Sequence, residues 1–140
     1  MSQFQLSKRS EQRLMGVHPD LQNVVRLAIT LTEVDFCVTE GVRTAERQRE
    51  LVAKGASTTT NSRHIPKKPA ARPELGPVSH AVDLAAMIGA EVRWDWPLYH
   101  KLADAMKTAA FKLKVPIAWG GDWTSFKDGP HFELDRKAYP

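Results

Sequence analysis

Cysteine is almost absent: Cys37 stands alone in a chain of 140 residues. One thiol cannot close an internal disulfide, which suits a reducing compartment and leaves the fold to its hydrophobic core. Cys37 lies in the apolar-rich run Val34 to Thr39 with no basic or imidazole neighbour, so a buried structural thiol is expected rather than a nucleophile. Long apolar runs are also missing. Nothing approaches the ~20 residues of a membrane span, and Met1 to Ser10 is polar and basic, so neither membrane insertion nor a secretory leader is expected. The net charge is +4, from 20 basic and 16 acidic residues. These charges are scattered, with no block of about five of one sign. A basic surface favours acidic partners, wall polymers among them, without selecting one. Trp94, Trp96, Trp119 and Trp123 are able to stack on bases, but no basic run interleaves with them, so nucleic acid is not expected as a partner. There is no internal repeat and no linker. A single domain over 1–140 is expected, with no spare length for a second one.

What is present reads as mixed helix and strand. Ser7 or Ser10 is placed to cap a short helix ending near Gly16, and Pro19-Asp20 opens a second. In the second, Leu21, Val24, Val25, Ala28 and Leu31 recur at helical spacing. Phe36 and Val38 alternate with Cys37 and Thr39 as in a strand, and Gly41 breaks it. Thr44 then caps a helix running to Lys54, and residues 56–61 read as loop. Residues 65–78 hold four prolines in fourteen positions, which excludes helix and central strand and predicts a long loop. Ala81 to Ala85 reads as a buried strand. A long helix begins at Trp94 to Pro97 and turns Leu98, Leu102, Ala105, Met106 and Ala109 inward. Short strands are expected around 117–119 and 131–134. Without regular strand–helix alternation, the class is α+β: a small antiparallel sheet with packed helices.

Four residues carry metal-type chemistry: His64 and Asp83 in the middle, and Asp128 and His131 of Asp128-Gly129-Pro130-His131. Two imidazoles and one carboxylate suit a catalytic zinc ion, which keeps a fourth position open for water. A carboxylate three residues before the last ligand is placed to take that water's proton. Each residue also has a plainer reading. A carboxylate in an apolar strand costs several kcal/mol to bury unless compensated, and an ion pair of Asp83 with Arg43 would suffice. Asp128 to His131 contains strong turn formers. His80 lies three residues before Asp83, an odd separation that points to opposite faces of a strand, so it reads as a surface or supporting histidine. His18, at a helix entry, and His100, without a second histidine on its helix, read as structural or surface residues.

Several segments in order resemble a known family. Glu40-Gly41-Val42-Arg43-Thr44 with Gln48 resembles the "G-x-R-T … Q" segment of the zinc D-alanyl-D-alanine peptidases. Ser62-Arg63-His64 followed by His80-Ala81-Val82-Asp83-Leu84 resembles their "S-x-H-x-x-G-x-A-x-D" motif, interrupted. Trp119 to Trp123 and Asp128 to Leu134 resemble their closing "G-G-D-W … D-x-x-H-F-E" segment. The nearest subgroup is the phage endolysins that are L-alanyl-D-glutamate peptidases. The interruption is plain: eighteen residues separate His64 from Asp83, most of them in the proline-rich stretch, and Ser79 stands where the motif has glycine. A loop that bulges outward leaves both residues in place.

The resemblance implies the hedgehog/D-Ala-D-Ala peptidase zinc fold, with His64, Asp83 and His131 as zinc ligands and Asp128 as general base. It implies that Arg43 holds a substrate carboxylate or stabilises the oxyanion, and that Ser62 and Gln48 assist substrate binding. Asp122 is a rival base, expected to be structural. The implied substrate is the peptidoglycan stem peptide, cut between L-alanine and D-glutamate for host lysis. The implied protein is a monomer. It waits in the host cytoplasm for a holin-like partner to open the membrane, then reaches the periplasm and wall. The alternatives are a D-alanyl-D-alanine carboxypeptidase or dipeptidase of the same fold, and a zinc-bearing wall-binding module without turnover.

Overall fold

The structure is a computed structural model that describes residues 4–57, 62–125 and 127–140. Of the expected loop at 56–61, residues 58–61 lie outside the described ones. Among the described residues, four α-helices and five strands follow in the order α1 (Lys8–Leu14), α2 (Pro19–Leu31), β1 (Asp35–Glu40), α3 (Ala45–Ala53), β2 (Ala81–Ile88), β3 (Glu91–Arg93), α4 (Trp96–Leu113), β4 (Ile117–Trp119) and β5 (His131–Leu134). No described helix is long and apolar enough to cross a membrane.

Local signals place most boundaries. Ser7 Oγ accepts from the Ser10 amide at the start of α1, and Thr44 Oγ1 accepts from the Arg47 amide at the start of α3. Both satisfy amides that the first turn leaves without partners. His18 caps α2: its Nδ1 accepts from the Asp20 amide at 3.0 Å. The expected inward faces of α2 and α4 are buried, with Ile29, Tyr99, Ala103 and Ala110 added, while Leu31 and Leu98 are only partly buried.

The strands form one antiparallel sheet in the order β1-β2-β5-β4, with β3 pairing the far end of β2. One face meets α2 and α4. Phe36 and Val38, Val82, Leu84 and Ala86, Trp119, and Phe132 and Leu134 enter that core. Strand residues alternate between faces, so the opposite face presents Asp83 from β2 and His131 and Glu133 from β5.

At the edge strand β1, a bulge shifts the register between Val38 and Glu40 and sets Glu40 opposite Asp83. Simple alternation from Val38 would have sent Glu40 into the core. The extra residue turns it to the face that carries Asp83. Helix α1 covers this edge: Ser10 Oγ accepts from the Val38 amide at 2.9 Å, and Arg13 donates to the Val38 carbonyl at 3.1 Å. Backbone groups of an open edge are thereby paired.

Three expectations need correction. β2 runs to Ile88 and turns at Gly89 into β3, which sequence reading missed; only three residues pair there, and Val92 is exposed. The proline-rich stretch is not without structure. It contains a 3₁₀ turn at Pro73–Leu75, and a bridge joins Lys67 to Val78. Proline fits the first position of a 3₁₀ turn, where no amide is needed. Cys37 is half-buried rather than buried, because it sits on the sheet face opposite Phe36 and Val38. Burial still pushes its thiol pKa up, as an inert cysteine requires.

Candidate metal centre

Asp83 sits at the middle of the sheet, in register with Glu40 on one side and His131 on the other. Register makes Asp83 and His131 cross-strand neighbours on one face. His64 arrives from the loop after α3 and is held from both sides. Its amide donates to Ser62 Oγ at 3.1 Å, and its carbonyl accepts from the Arg43 amide at 3.0 Å. The result is a cluster in which Asp83 Oδ1 lies 3.0 Å from His64 Nε2 and 3.3 Å from His131 Nδ1. One ligand atom from each of the three residues lies within 4.8 Å of the others. Donors bound to one zinc ion at about 2.0–2.2 Å would stand about 3–4 Å apart.

The outward nitrogens explain why the inward ones are available. His64 Nδ1 donates to the Gly41 carbonyl at 2.8 Å, which leaves the Nε2 lone pair facing Asp83. His131 Nε2 donates to Glu133 Oε1 at 2.9 Å, which turns Nδ1 toward Asp83. Such partners fix the tautomer and aim of ligating imidazoles. Glu133 is itself buried, and it is held by Arg136 Nε at 2.9 Å with Arg63 Nε at 3.7 Å. Sequence reading placed Glu133 in a motif but gave it no task. The signal was its place two residues after His131, on the same face of a strand.

Charge in the cluster is tilted toward a cation. Burial alone would lower the His131 pKa, yet hydrogen bonds to Asp83 and Glu133 push it up to about 9. Burial likewise favours a neutral Asp83, but His131 and His64 hold it well below the usual carboxylate range. A site that keeps a proton so firmly on an imidazole is one where a metal ion can replace that proton. On these grounds the donor set fits a divalent ion.

Around the cluster lies a cleft bordered by Arg43, Ser62, Trp123 and Asp128. The Trp123 ring stands 5.2 Å from the His131 ring. Burial raises the Asp128 pKa, and the Asp83 charge raises it further, against smaller opposing effects of His131, His64 and Arg43. Asp128 therefore lies in the field of Asp83, His131, His64 and Arg43. Its segment is held against Gly120: the Asp128 amide donates to the Gly120 carbonyl at 3.0 Å, and a Cβ at Gly120 would stand 2.2 Å from the Asp128 carbonyl oxygen. Glycine is required there because another backbone occupies the space of a side chain.

Arg43 reaches Asp83 Oδ2 at 3.6 Å, ion-pairs with Glu40, and donates to Gln48 Oε1 at 2.7 Å. The plain reading of Asp83, an arginine pair, therefore holds together with the metal reading. Gln48 is fully buried, and its Nε2 donates to Ser57 Oγ at 2.8 Å. Asp122 points elsewhere, paired with Lys107 at 2.7 Å on the surface. His80 is outside the cluster, as strand parity requires, but it is not a surface residue. It is 1% exposed, and its Nδ1 donates to the Val78 carbonyl at 3.0 Å.

The phage L-alanyl-D-glutamate peptidase family matches residues 1–139. The chain belongs to this family. The L-alanyl-D-glutamate peptidase of Escherichia phage T5 is 29% identical over 140 residues, covering 97% of this chain and 93% of its own. That of Listeria phage A118 is 33% identical over 107 residues, 76% of this chain, which spans about a third (32%) of that longer relative. The crystal structure of the Serratia marcescens L-Ala D-Glu endopeptidase ChiX superposes with a TM-score of 0.83 at 41% identity, covering 97% of this chain and 94% of that one. The phage peptidase family thus accounts for the α+β fold as well as for the motif order. The proline-rich stretch between His64 and Asp83 leaves the two side chains together, with Nε2 and Oδ1 3.0 Å apart.

Proposed function

We propose that this protein is a zinc-dependent endopeptidase that hydrolyses the L-alanyl-D-glutamate bond of peptidoglycan stem peptides, working as an endolysin. The observation that carries this reading is the convergence of His64, Asp83 and His131 with both outward ring nitrogens tied to oxygen acceptors. It is supported by membership of the family and by what its named relatives do.

In this proposal His64 Nε2, Asp83 and His131 Nδ1 would hold the ion. Zinc would supply a lowered pKa for a water, toward about 7, and polarisation of the scissile carbonyl. The remaining work falls to the chain. Asp128, at the border of the cleft, would accept the water's proton and deliver it to the leaving amine. Arg43 keeps its charge at any working pH and offers it to a substrate carboxylate or to the oxyanion. Gln48, buried behind Arg43, aims the guanidinium rather than touching substrate. Ser62 stands at the cleft with its hydroxyl accepting from the His64 amide, where it contacts the peptide. The protein acts as a monomer on the anionic wall, which its net charge of +4 suits. A holin-like partner releases it from the host cytoplasm to the periplasm.

The test is mass spectrometry of peptidoglycan fragments after digestion, with and without a chelator. New amino-terminal D-glutamate, formed when zinc is present and not after chelation, is expected. Cleavage at a D-Ala-D-Ala bond would replace the specificity and keep the site. Zinc-loaded protein that binds walls and releases no amino groups would sink the hydrolase.

A further inference from the structure

A second pocket, of about 440 Å³, adjoins the metal cleft. Ser62, Arg63 and Arg136 line both, so the two openings share a wall. Lys67 stands at its rim and His80 at its floor. Three cationic side chains surround it, and no Asp or Glu side chain lines it among the described residues. The neighbouring Glu133 pairs with Arg136 and lies 3.7 Å from Arg63, so one carboxylate offsets part of that charge and the balance stays positive. A cleft with this balance attracts an anion.

The proline-rich stretch builds the rim. Lys67 and Val78 exchange two backbone hydrogen bonds, of 2.9 and 3.1 Å, which close the excursion at its base. The next residues are tied in as well: the His80 amide donates to the Arg63 carbonyl at 2.9 Å, and Arg63 donates to the carbonyls of Leu134 and Tyr139 at 3.2 and 2.7 Å. Lys67 is thus anchored beside Arg63, while its side chain remains exposed. Proline limits how far such a loop can move. The stretch that interrupts the metal motif therefore contributes a charge next to the metal cleft.

The proposed substrate supplies the matching group. A glutamate joined through its amine and one carboxyl keeps a second carboxyl, ionised at neutral pH. That carboxylate belongs to the residue on the leaving side of the scissile bond. We propose that the pocket formed by Arg63, Lys67 and Arg136 binds this free D-glutamate carboxylate, and that the proline-rich stretch is thereby a specificity element. The inference rests on the endopeptidase reading above.

The test uses zinc-loaded Asp128→Asn protein, in which peptide survives, and calorimetry with an L-Ala-D-Glu stem peptide. The peptide carries D-glutamate either as the free acid or as its amide. The acid is expected to bind about tenfold more tightly, the scale of a charge-assisted contact. Adding Lys67→Glu should erase that preference and leave the affinity for the amide unchanged; the cycle isolates the pair from any general effect. Equal binding of acid and amide would overturn the proposal. So would a Lys67→Glu effect of equal size on both, or no binding of either. If the wild-type protein cuts the peptide while acid and amide bind alike, the pocket assignment falls and the peptidase stands. If the preference is present and nothing is cut, the pocket stands and the peptidase falls.

Discussion

Two pairs of buried histidines lie in this small fold, with nearly the same ring geometry and opposite chemistry. The rings of His64 and His131 are 5.1 Å apart at 71°, and those of His18 and His80 are 5.7 Å apart at 62°. In the first pair a carboxylate, Asp83, stands between the rings, and Glu133 holds the far nitrogen of His131. Its proton affinity rises to a pKa of about 9. In the second pair no carboxylate among the described residues meets the ring of His80. Burial, with Arg63, His18 and Lys67 nearby, lowers its pKa to about 4. His18 is lowered too, by burial, despite Asp20. Burial penalises the charged ring in both places, and the placement of one strand carboxylate decides which pair can take a cation.

Removing a ring from the first pair should have the largest effect. His64→Ala is expected to lose zinc and to cut hydrolysis by more than about 100-fold, since even outer partners of ligands are worth about 10–100-fold. Elemental analysis with a peptide assay checks this, and full zinc occupancy would move the ligand role elsewhere. Asp128→Asn should keep zinc and lower kcat by about 10²–10⁴-fold, the usual range for a general base. Unchanged turnover would take Asp128 out of the mechanism.

Glu133→Gln sharpens the comparison without touching a ligand. Zinc affinity should weaken by about 10–100-fold, measured by competition with a chelator. The same affinity would show that His131 needs no carboxylate behind it. The smallest effect belongs to the second pair. The folded pKa of His80 lies below the ordinary value of 6.5, at about 4, so the unfolded chain takes up this proton first. Stability should therefore fall as pH drops from 6.5 toward 4, with no loss from this group above 6.5. His80→Phe should flatten that part of the melting-temperature profile and leave zinc content unchanged. A slope identical to wild type would assign the acid sensitivity to other groups.

The sequence showed the chemistry of the site more clearly than its surroundings. His64, Asp83, Asp128 and His131 were marked by residue type and given roles by the resemblance to the peptidase motifs, and the structure brings His64, Asp83 and His131 together with Asp128 at the rim of their cleft. The parity that separated His80 from Asp83 also held. What misled was exposure. His80 was read as a surface or supporting histidine, yet here the loop folds back through the Lys67–Val78 bridge and the ring is covered. β3 was overlooked because its three residues pair only with the end of β2 and expose Val92.

Local order was written in the chain itself. Caps at Ser7 and Thr44, the helical spacing of α2 and α4, and the alternation of β1 and β5 all depend on neighbours a few residues apart, where backbone geometry and burial periodicity act directly. Tertiary structure decided the rest. The bulge that turned Glu40 toward Arg43, the register that set His131 beside Asp83, and the carbonyl of Gly41 that fixed the His64 tautomer join residues far apart in the chain. Such contacts depend on which strands pair and where loops close, and no local pattern specifies that.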